Sequence, residues 1–243
     1  MLRRWNIAVG NTCFRYRNAL FPAVFALVVP LLRPCLIGHS TLDRLLVGTG
    51  VGVALVGELV RLVTIGFEYI ERGGKEGKVY ASRLVQGGVY GLTRNPMYVG
   101  NALIATGMTM VAGAPWIYLA VLPFFLFVYQ AIIAAEEAYL RGRFGEAYDR
   151  YCARVPRLLP AFRNASNAFA GMRYNWKSAA RQELSTIAGL GVGLTLLPIW
   201  RMYWLEGWDA AKTAAPSAFA RLLVVMALYG FLIALKRNRR LFY

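Results

Sequence analysis

Apolar residues fall into six long runs, separated by polar and strongly basic segments. Crossing the hydrocarbon core of a bilayer takes about 20 apolar residues, and most of these runs come close to that length. We expect helices over residues 19–32, 45–64, 97–112, 116–135, 184–199 and 219–235. Gly113-Ala114-Pro115 predicts a tight turn that joins the third and fourth helices into a hairpin. The pattern predicts an all-α fold, a polytopic integral membrane helical bundle with about six transmembrane helices.

The first run is the least regular of the six. Residues 19–32 include Pro22 and Pro30, and no small-residue cleavage site follows them. We therefore interpret this run as a retained helix and not as a signal peptide.

Composition and charge agree with a membrane protein. The chain has 243 residues, is 58% hydrophobic and carries a formal net charge of +16. Nucleic-acid-binding proteins display basic residues on a polar surface, whereas here they lie between apolar runs, so membrane lipids are the expected partners and nucleic acid is not. Six spans would place 22 basic residues on the side of both termini and four on the other. This bias predicts that both termini and the polar motif loops are cytoplasmic.

Cysteine and histidine do not predict a metal site. Cys13, Cys35 and Cys152 are far apart in sequence, and His39 is the chain's single histidine. Two glycine-rich stretches, 48–52 and 189–193, lie inside apolar helices and follow no predicted strand. They indicate close helix packing and not a dinucleotide-binding loop.

The stretch GLTRNPMYVG at 91–100 places polar chemistry where a loop enters the third helix. Pro96 suits the first helical turn, where its missing N–H costs nothing. Arg94 then lies at the membrane boundary, between Tyr90 and Tyr98. An interfacial arginine within an aromatic belt is the alternative interpretation.

A second polar cluster follows the fourth helix. Glu136 and Glu137 are predicted to end that helix, where negative charges oppose the macrodipole and call for a nearby cation. A salt bridge from Glu137 to Arg141, one turn later, is the simpler explanation. Gly145 is expected to break the helix, and Tyr148 and Tyr151 to share one face of the next.

The two stretches together resemble a known family. LVQGGVYGLTRNPMYVG, the apolar hairpin and EEAYLRGRFGEAYDRYCARVPRLLP are similar to the isoprenylcysteine carboxyl methyltransferase family, part of a wider group that includes phospholipid methyltransferases. The family typically has histidine before the proline, where this chain has Asn95, a variant associated with bacterial members. The resemblance divides the chain into N-terminal helices (1–83), a methyltransferase core (84–160), and an amphipathic linker with two further helices (161–243).

The resemblance implies S-adenosylmethionine bound at the cytoplasmic membrane face. Glu136 or Glu137 would pair with the cofactor's cationic groups and Arg94 or Arg157 with its carboxylate, while tyrosines would pack on adenine or the sulfonium. Arg94 and Glu137 are the candidate catalytic residues, with Glu137 the base if the acceptor is an amine. The implied cofactor-binding residues are Tyr90, Arg94, Asn95, Tyr98, Glu136, Glu137, Tyr148, Tyr151 and Arg157.

The expected function is therefore methyl transfer to a lipid or lipophilic acceptor, at a carboxylate oxygen or an amine nitrogen, in the inner membrane of a bacterium. An NADPH-dependent membrane reductase of the sterol-reductase type and a noncatalytic lipid-binding protein are the alternatives. The identity of the acceptor and the oligomeric state are left open.

Two charged residues lie inside the second predicted span. Glu58 and Arg61 are three positions apart and share one helix face. Charges at that depth usually face a partner or a cavity, so we expect the two to pair and to support the wall of the substrate cavity.

Overall fold

The computed structural model describes residues 2–27, 31, 33–35, 40–67 and 79–237. The described part of the chain is helical and contains no strand. Its α-helices are α1 (Leu2–Leu27), α2 (Ser40–Phe67), α3 (Pro96–Ala112), α4 (Leu122–Phe144), α5 (Glu146–Arg154), α6 (Ala165–Ala168), α7 (Trp176–Glu206) and α8 (Trp208–Arg237). A π-helical turn at Ile117–Val121 leads into α4, and short 3-10 helices lie at Gly88–Gly91 and Phe162–Asn164.

The helices α2 and α3 form the tightest pair in the bundle and run antiparallel. Gly50 of α2 packs against Gly107 of α3, and Gly57 packs against Gly100. A Cβ atom at Gly57 would lie 2.6 Å from the carbonyl oxygen of Gly100, so only glycine permits this approach. The prediction that glycines in the stretch 48–52 serve helix packing is confirmed at Gly50. Elsewhere α1 packs on α4, and α7 contacts α2, α3 and α8.

Helices cover all six predicted runs with different bounds, although residues 28–30 and 32 of the first run lie outside the described residues. Four segments are long and apolar enough to cross a membrane: Thr41–Phe67, Ile117–Phe144, Trp176–Glu206 and Trp208–Lys236. The helix α3 has 17 residues, about 26 Å at 1.5 Å per residue, which is short for a span. The helix α1 starts at Leu2, well before residue 19, and therefore includes four arginines. By length and composition the described helices give four spans where the sequence predicted about six.

The fourth helix does not end at the paired glutamates, so that prediction is wrong. The helix α4 continues to Phe144 and is terminated by Gly145, which has φ 51°. Glu136 and Glu137 therefore lie two turns inside the helix, and the opposed macrodipole does not explain them. The prediction that Gly145 breaks the helix is confirmed.

Hydrogen bonds join the loop before α3 to the loop after α5 at one end of the bundle. The backbone N–H of Arg94 donates to the carbonyl of Pro156 at 2.9 Å, and the N–H of Ala161 donates to Leu92 at 2.9 Å. The Thr93 hydroxyl adds a bond to the carbonyl of Leu158 at 3.0 Å. These bonds bring the segment before α3 against the segment after α5, and so place the two motifs side by side.

A buried ion pair fastens the opposite end of the bundle. Arg201 of α7 contacts Asp43 of α2, and its guanidinium approaches the carbonyl of Val111 at the end of α3. Gly113, with φ 63°, caps α3 and forms the predicted hairpin turn. His39 and the basic residues of segments 68–78 and 238–243 lie outside the described residues, so the charge pattern that assigns the cytoplasmic side stays a prediction.

Candidate active site

A cavity of ≈ 960 Å³ lies between helices α1 to α5, α7 and the segment 79–95. Eight of the nine predicted site residues line it, and they come from two regions that are far apart in sequence. These residues are Tyr90, Arg94, Asn95, Tyr98, Glu136, Glu137, Tyr148 and Tyr151. The assignment of binding roles to them remains a prediction, but their placement around one cavity is a feature of the fold.

Arg94 and Glu137 form an ion pair in the wall of the cavity. The Arg94 Nη1 atom lies 3.6 Å from Glu137 Oε1, and the two side chains are 15% and 17% exposed. The same Nη1 atom donates to the sulfur of Cys152 on α5. Burial by itself would lower the pKa of Arg94, but the negative charge of Glu137 opposes it, and the net result is a raised pKa. The guanidinium therefore stays charged.

Arg157 holds the other side of the same carboxylate. Its Nε atom lies 3.2 Å from Glu137 Oε2, and its Nη1 atom donates to Gln130 at 2.8 Å. Arg157 is not among the residues that line the cavity. Glu137 is thus held between two arginines, one facing the cavity and one behind it, and its pairing is not with Arg141, which bonds Asp149 instead.

Glu136 faces a different group from its neighbour, because adjacent helical residues point about 100° apart. The Tyr98 hydroxyl of α3 donates to Glu136 Oε1 at 2.7 Å. The Tyr98 ring packs on Tyr129, with ring centroids 5.6 Å apart. This bond joins α3 to α4 across the cavity.

The tyrosines of α5 line the cavity near the loops that precede α3 and follow α5. Tyr148 and Tyr151 are both buried, and the Tyr151 hydroxyl donates to the carbonyl of Tyr90 at 2.7 Å. Burial, followed by the negative charge of Glu137, raises the pKa of Tyr148. Burial likewise raises the pKa of Tyr151. Both phenols are therefore neutral at physiological pH and able to donate hydrogen bonds or to stack.

Asn95 has a structural bond that accounts for its position. Its Nδ2 atom donates to the carbonyl of Arg157 at 2.9 Å, and it precedes Pro96 at the start of α3 without capping the helix through its side chain. The amide thus fastens the loop that carries Arg157 to the loop that carries Arg94. Asn95 therefore lines the cavity and also helps to position the loops of Arg94 and Arg157.

The structure adds a polar cluster that the sequence revealed only in part. Arg61 lies 3.8 Å from Glu58, as predicted, but its shorter ion pair, at 2.6 Å, is with Glu183 of α7. Asn101 and Thr186 also contact Arg61 and line the cavity. The charged pattern inside α2 was a usable signal, but nothing in the sequence indicated which face of α7 meets it. Among the described residues no three metal-ligating side chains come together.

Comparison with known proteins shows what part of this chain is similar to. The family model for phospholipid methyltransferase matches residues 47–147. Protein-S-isoprenylcysteine O-methyltransferase of Schizosaccharomyces pombe is 36% identical over 80 residues, which are 32% of this chain and 33% of that enzyme. An uncharacterized protein of Haemophilus influenzae is 40% identical over 63 residues, 26% of this chain and 100% of that protein. No solved structure gives a significant match.

The long apolar helices and the matched segment support an integral membrane protein that is similar to membrane methyltransferases. Residues 47–147 are similar to the phospholipid methyltransferase family, and part of the chain is similar to an isoprenylcysteine O-methyltransferase. The match spans about a third of the length of the fission yeast enzyme. The residues matched by the family model include Arg61, Arg94, Glu136 and Glu137, whereas Arg157 and the helices α7 and α8 lie outside them.

Proposed function

We propose that the protein is an S-adenosylmethionine-dependent methyltransferase that acts on a lipid or lipophilic acceptor at the cytoplasmic membrane face. The observation that carries the proposal is the meeting of Arg94 and Glu137 in the wall of one cavity, with Glu136 and Tyr98 beside them. A guanidinium and carboxylates around one cavity are complementary to a ligand that carries both a carboxylate and cationic groups.

Two buried polar atoms that make no hydrogen bond among the described residues support the fit of the cofactor. Arg94 Nε and Glu137 Oε1 are buried and make no hydrogen bond within the described part of the chain. A buried polar atom without a hydrogen bond destabilises the fold, and a bound ligand can supply the missing bond. Arg94 Nε would donate to the cofactor's carboxylate, and Glu137 Oε1 would accept from its ammonium. Tyr148 and Tyr151 would supply the aromatic surface beside the adenine.

The cofactor would supply a methyl carbon made electrophilic by a positively charged sulfur, and the acceptor atom would bond to that carbon as the carbon–sulfur bond breaks and the neutral thioether leaves. The protein contributes chiefly by holding the two reactants in register, because effective positioning lowers the barrier without acid or base chemistry. A carboxylate acceptor needs no proton removed. An amine acceptor does, and Glu136 is then better placed than Glu137, since two arginines already hold the Glu137 carboxylate.

The cytoplasmic orientation is the second part of the proposal. The loops that form the cavity continue into α5 and the segment up to α7, which carry many of the chain's arginines. Basic residues beside membrane helices are retained in the cytoplasm. The same arginines would attract anionic lipid headgroups to the entrance of the cavity.

A direct assay tests this function. The purified full-length protein would be incubated with S-adenosylmethionine labelled in the methyl group and a total membrane lipid extract, and the labelled products identified by mass spectrometry. We expect label in a lipophilic product. Binding of NADPH in place of S-adenosylmethionine would support the reductase alternative, and binding of neither by a folded sample would support a noncatalytic lipid-binding protein.

A further inference from the structure

A polar cluster joins α7 to α2 and α3 in the wall of the same cavity. Arg61 Nε and Nη2 donate to Glu183 Oε2 at 2.9 and 2.6 Å. The Glu183 side chain is 0% exposed, and that of Arg61 is 10% exposed. Gly100 makes room for Arg61, since a Cβ atom there would lie 2.5 Å from Arg61 Cγ. The guanidinium is therefore fixed in place, and its charge is balanced by a buried carboxylate.

The fixed guanidinium orients two neutral side chains. Arg61 Nη2 donates to Thr186 Oγ1 at 3.0 Å, and Arg61 Nη1 donates to Asn101 Oδ1. Because both oxygens already accept from Arg61, the Thr186 hydroxyl hydrogen and the Asn101 amide hydrogens are directed away from it. Thr186 and Asn101 both line the cavity. This part of the wall thus offers hydrogen-bond donors backed by an arginine.

The size of the cavity leaves room for a second ligand group at this wall. Pockets for a single small ligand measure roughly 300–1,000 Å³, and this cavity, at ≈ 960 Å³, is at the upper end of that range. The Arg94–Glu137 pair forms one part of the cavity wall. Asn101 and Thr186 form another part, and the proposed cofactor contacts do not use their donors.

We propose that Asn101 and Thr186, held by the Arg61–Glu183 pair, form a subsite for a carbonyl or phosphoryl oxygen of the lipid acceptor. That the ligand is a methyl acceptor rests on the proposed function. The subsite itself requires only that an amphiphile enters the cavity. Glu183 and Thr186 belong to α7, beyond the residues 47–147 that match the family model. The subsite therefore fits a specificity element that this chain adds to the shared core.

Amphiphile binding to the full-length protein in detergent micelles tests the subsite without turnover. The probes are dioleoylphosphatidylethanolamine and N-acetyl-S-farnesylcysteine, which carry phosphoryl or carbonyl oxygens, and hexadecylamine, which carries neither. Thr186→Val and Asn101→Leu each remove the donor that faces the cavity without adding a charge. We expect each substitution to lower the affinity for the oxygen-bearing probe that the wild type binds more tightly, by about five- to tenfold. The affinity for hexadecylamine should stay unchanged.

Two further variants separate the subsite from general damage to α7. Thr186→Ser keeps the hydroxyl and should retain wild-type affinity. Thr195→Val makes the same change as Thr186→Val on the same helix, but its hydroxyl donates to the carbonyl of Gly191 and does not line the cavity. Its affinity for every probe should equal that of the wild type.

Equal affinity of the wild type, Thr186→Val and Asn101→Leu for the oxygen-bearing probes would overturn the subsite. So would a loss of affinity for hexadecylamine in Thr186→Val as large as its loss for phosphatidylethanolamine, or a wild type that binds no oxygen-bearing probe. Failure of the wild type to bind S-adenosylmethionine would count against the proposed function instead, while the probe affinities would still decide the subsite.

Discussion

Arg94 Nη1 lies 3.6 Å from Glu137 Oε1, although the whole of α3, the hairpin turn and most of α4 separate the two residues in sequence. The hairpin returns the chain to the level of Arg94, and the loop after α5 then adds Arg157 to the other carboxylate oxygen. The proposed cofactor binding depends on the Glu137 carboxylate, which Arg94 and Arg157 hold from two sides.

Arg157 should act through Glu137 without touching a ligand. Its side chain bonds Glu137 and Gln130 and does not line the cavity. We expect Arg157→Ala to weaken S-adenosylmethionine binding by about tenfold, since Glu137 loses one of the groups that orient it. Isothermal titration of the purified protein measures the effect.

The matched control is Arg150→Ala, which removes an exposed arginine paired with Glu146 on the surface of α5. It should leave the affinity unchanged. An Arg157→Ala protein that binds as tightly as the wild type would show that Arg94 alone positions the carboxylate.

Breaking the buried ion pair between α2 and α7 should destabilise the bundle. Glu183→Ala leaves the Arg61 guanidinium buried without its main partner, and we expect a loss of about 3–5 kcal/mol in the free energy of unfolding. Glu58→Gln should cost less, because Glu58 lies 3.8 Å from Arg61 and is not its closest carboxylate. Unfolding in mixed micelles compares the two, and a larger loss for Glu58→Gln would contradict this ranking.

The contact between α2 and α3 should depend on glycine at one position and not at another. Gly100→Ala would place a methyl group 2.5 Å from Arg61 Cγ and 2.8 Å from the carbonyl oxygen of Gly57, so we expect a loss of about 1–3 kcal/mol. Gly48→Ala is the matched control, since nothing lies within 4 Å of the added atom. It should be neutral or stabilising by up to about 1 kcal/mol, as expected for alanine in a helix.

Thermal unfolding in one detergent, with both variants measured side by side, checks the pair. Equal stability of Gly100→Ala and Gly48→Ala would mean that α2 and α3 do not approach as closely as described.

The orientation of the cavity can be tested in intact cells. Arg150 is exposed on α5, next to the loops that form the cavity, and a cysteine there should react with membrane-impermeant maleimide only after the cells are opened. Labelling of Arg150→Cys from outside would place the cavity on the other face of the membrane. A variant with Cys13, Cys35 and Cys152 replaced by serine provides the background.

Much of the fold was predictable because apolar runs and turn residues carry local information. The hairpin at Gly113 and the helix break at Gly145 were both predicted and are confirmed. The end of α4 was not, because Glu136 and Glu137 interrupt the apolar run but are compatible with a helix and have partners in the fold. When hydrophobicity is the only criterion, polar residues inside a helical bundle resemble the end of a helix.

The site could be predicted only where the motifs were dense. Arg94, Glu136 and Glu137 lie in segments whose polar residues stand out beside apolar helices, and these residues line one cavity. Glu183 could not be predicted, since its importance comes from the packing of α7 on α2, which joins residues far apart in sequence. Such a contact depends on tertiary packing, and no local pattern specifies it.

Equilibrium titration of S-adenosylmethionine into the full-length protein and its Arg94→Ala variant tests the central claim most directly. The wild type should bind the cofactor, and Arg94→Ala should weaken binding by about a hundredfold, as expected when a buried charge loses its partner. Arg94→Lys should recover little of that loss, because an ammonium cannot reproduce the planar, two-pronged contact of a guanidinium. Wild-type affinity in a well-folded Arg94→Ala protein would contradict the account and return Arg94 to the role of a membrane-interface residue.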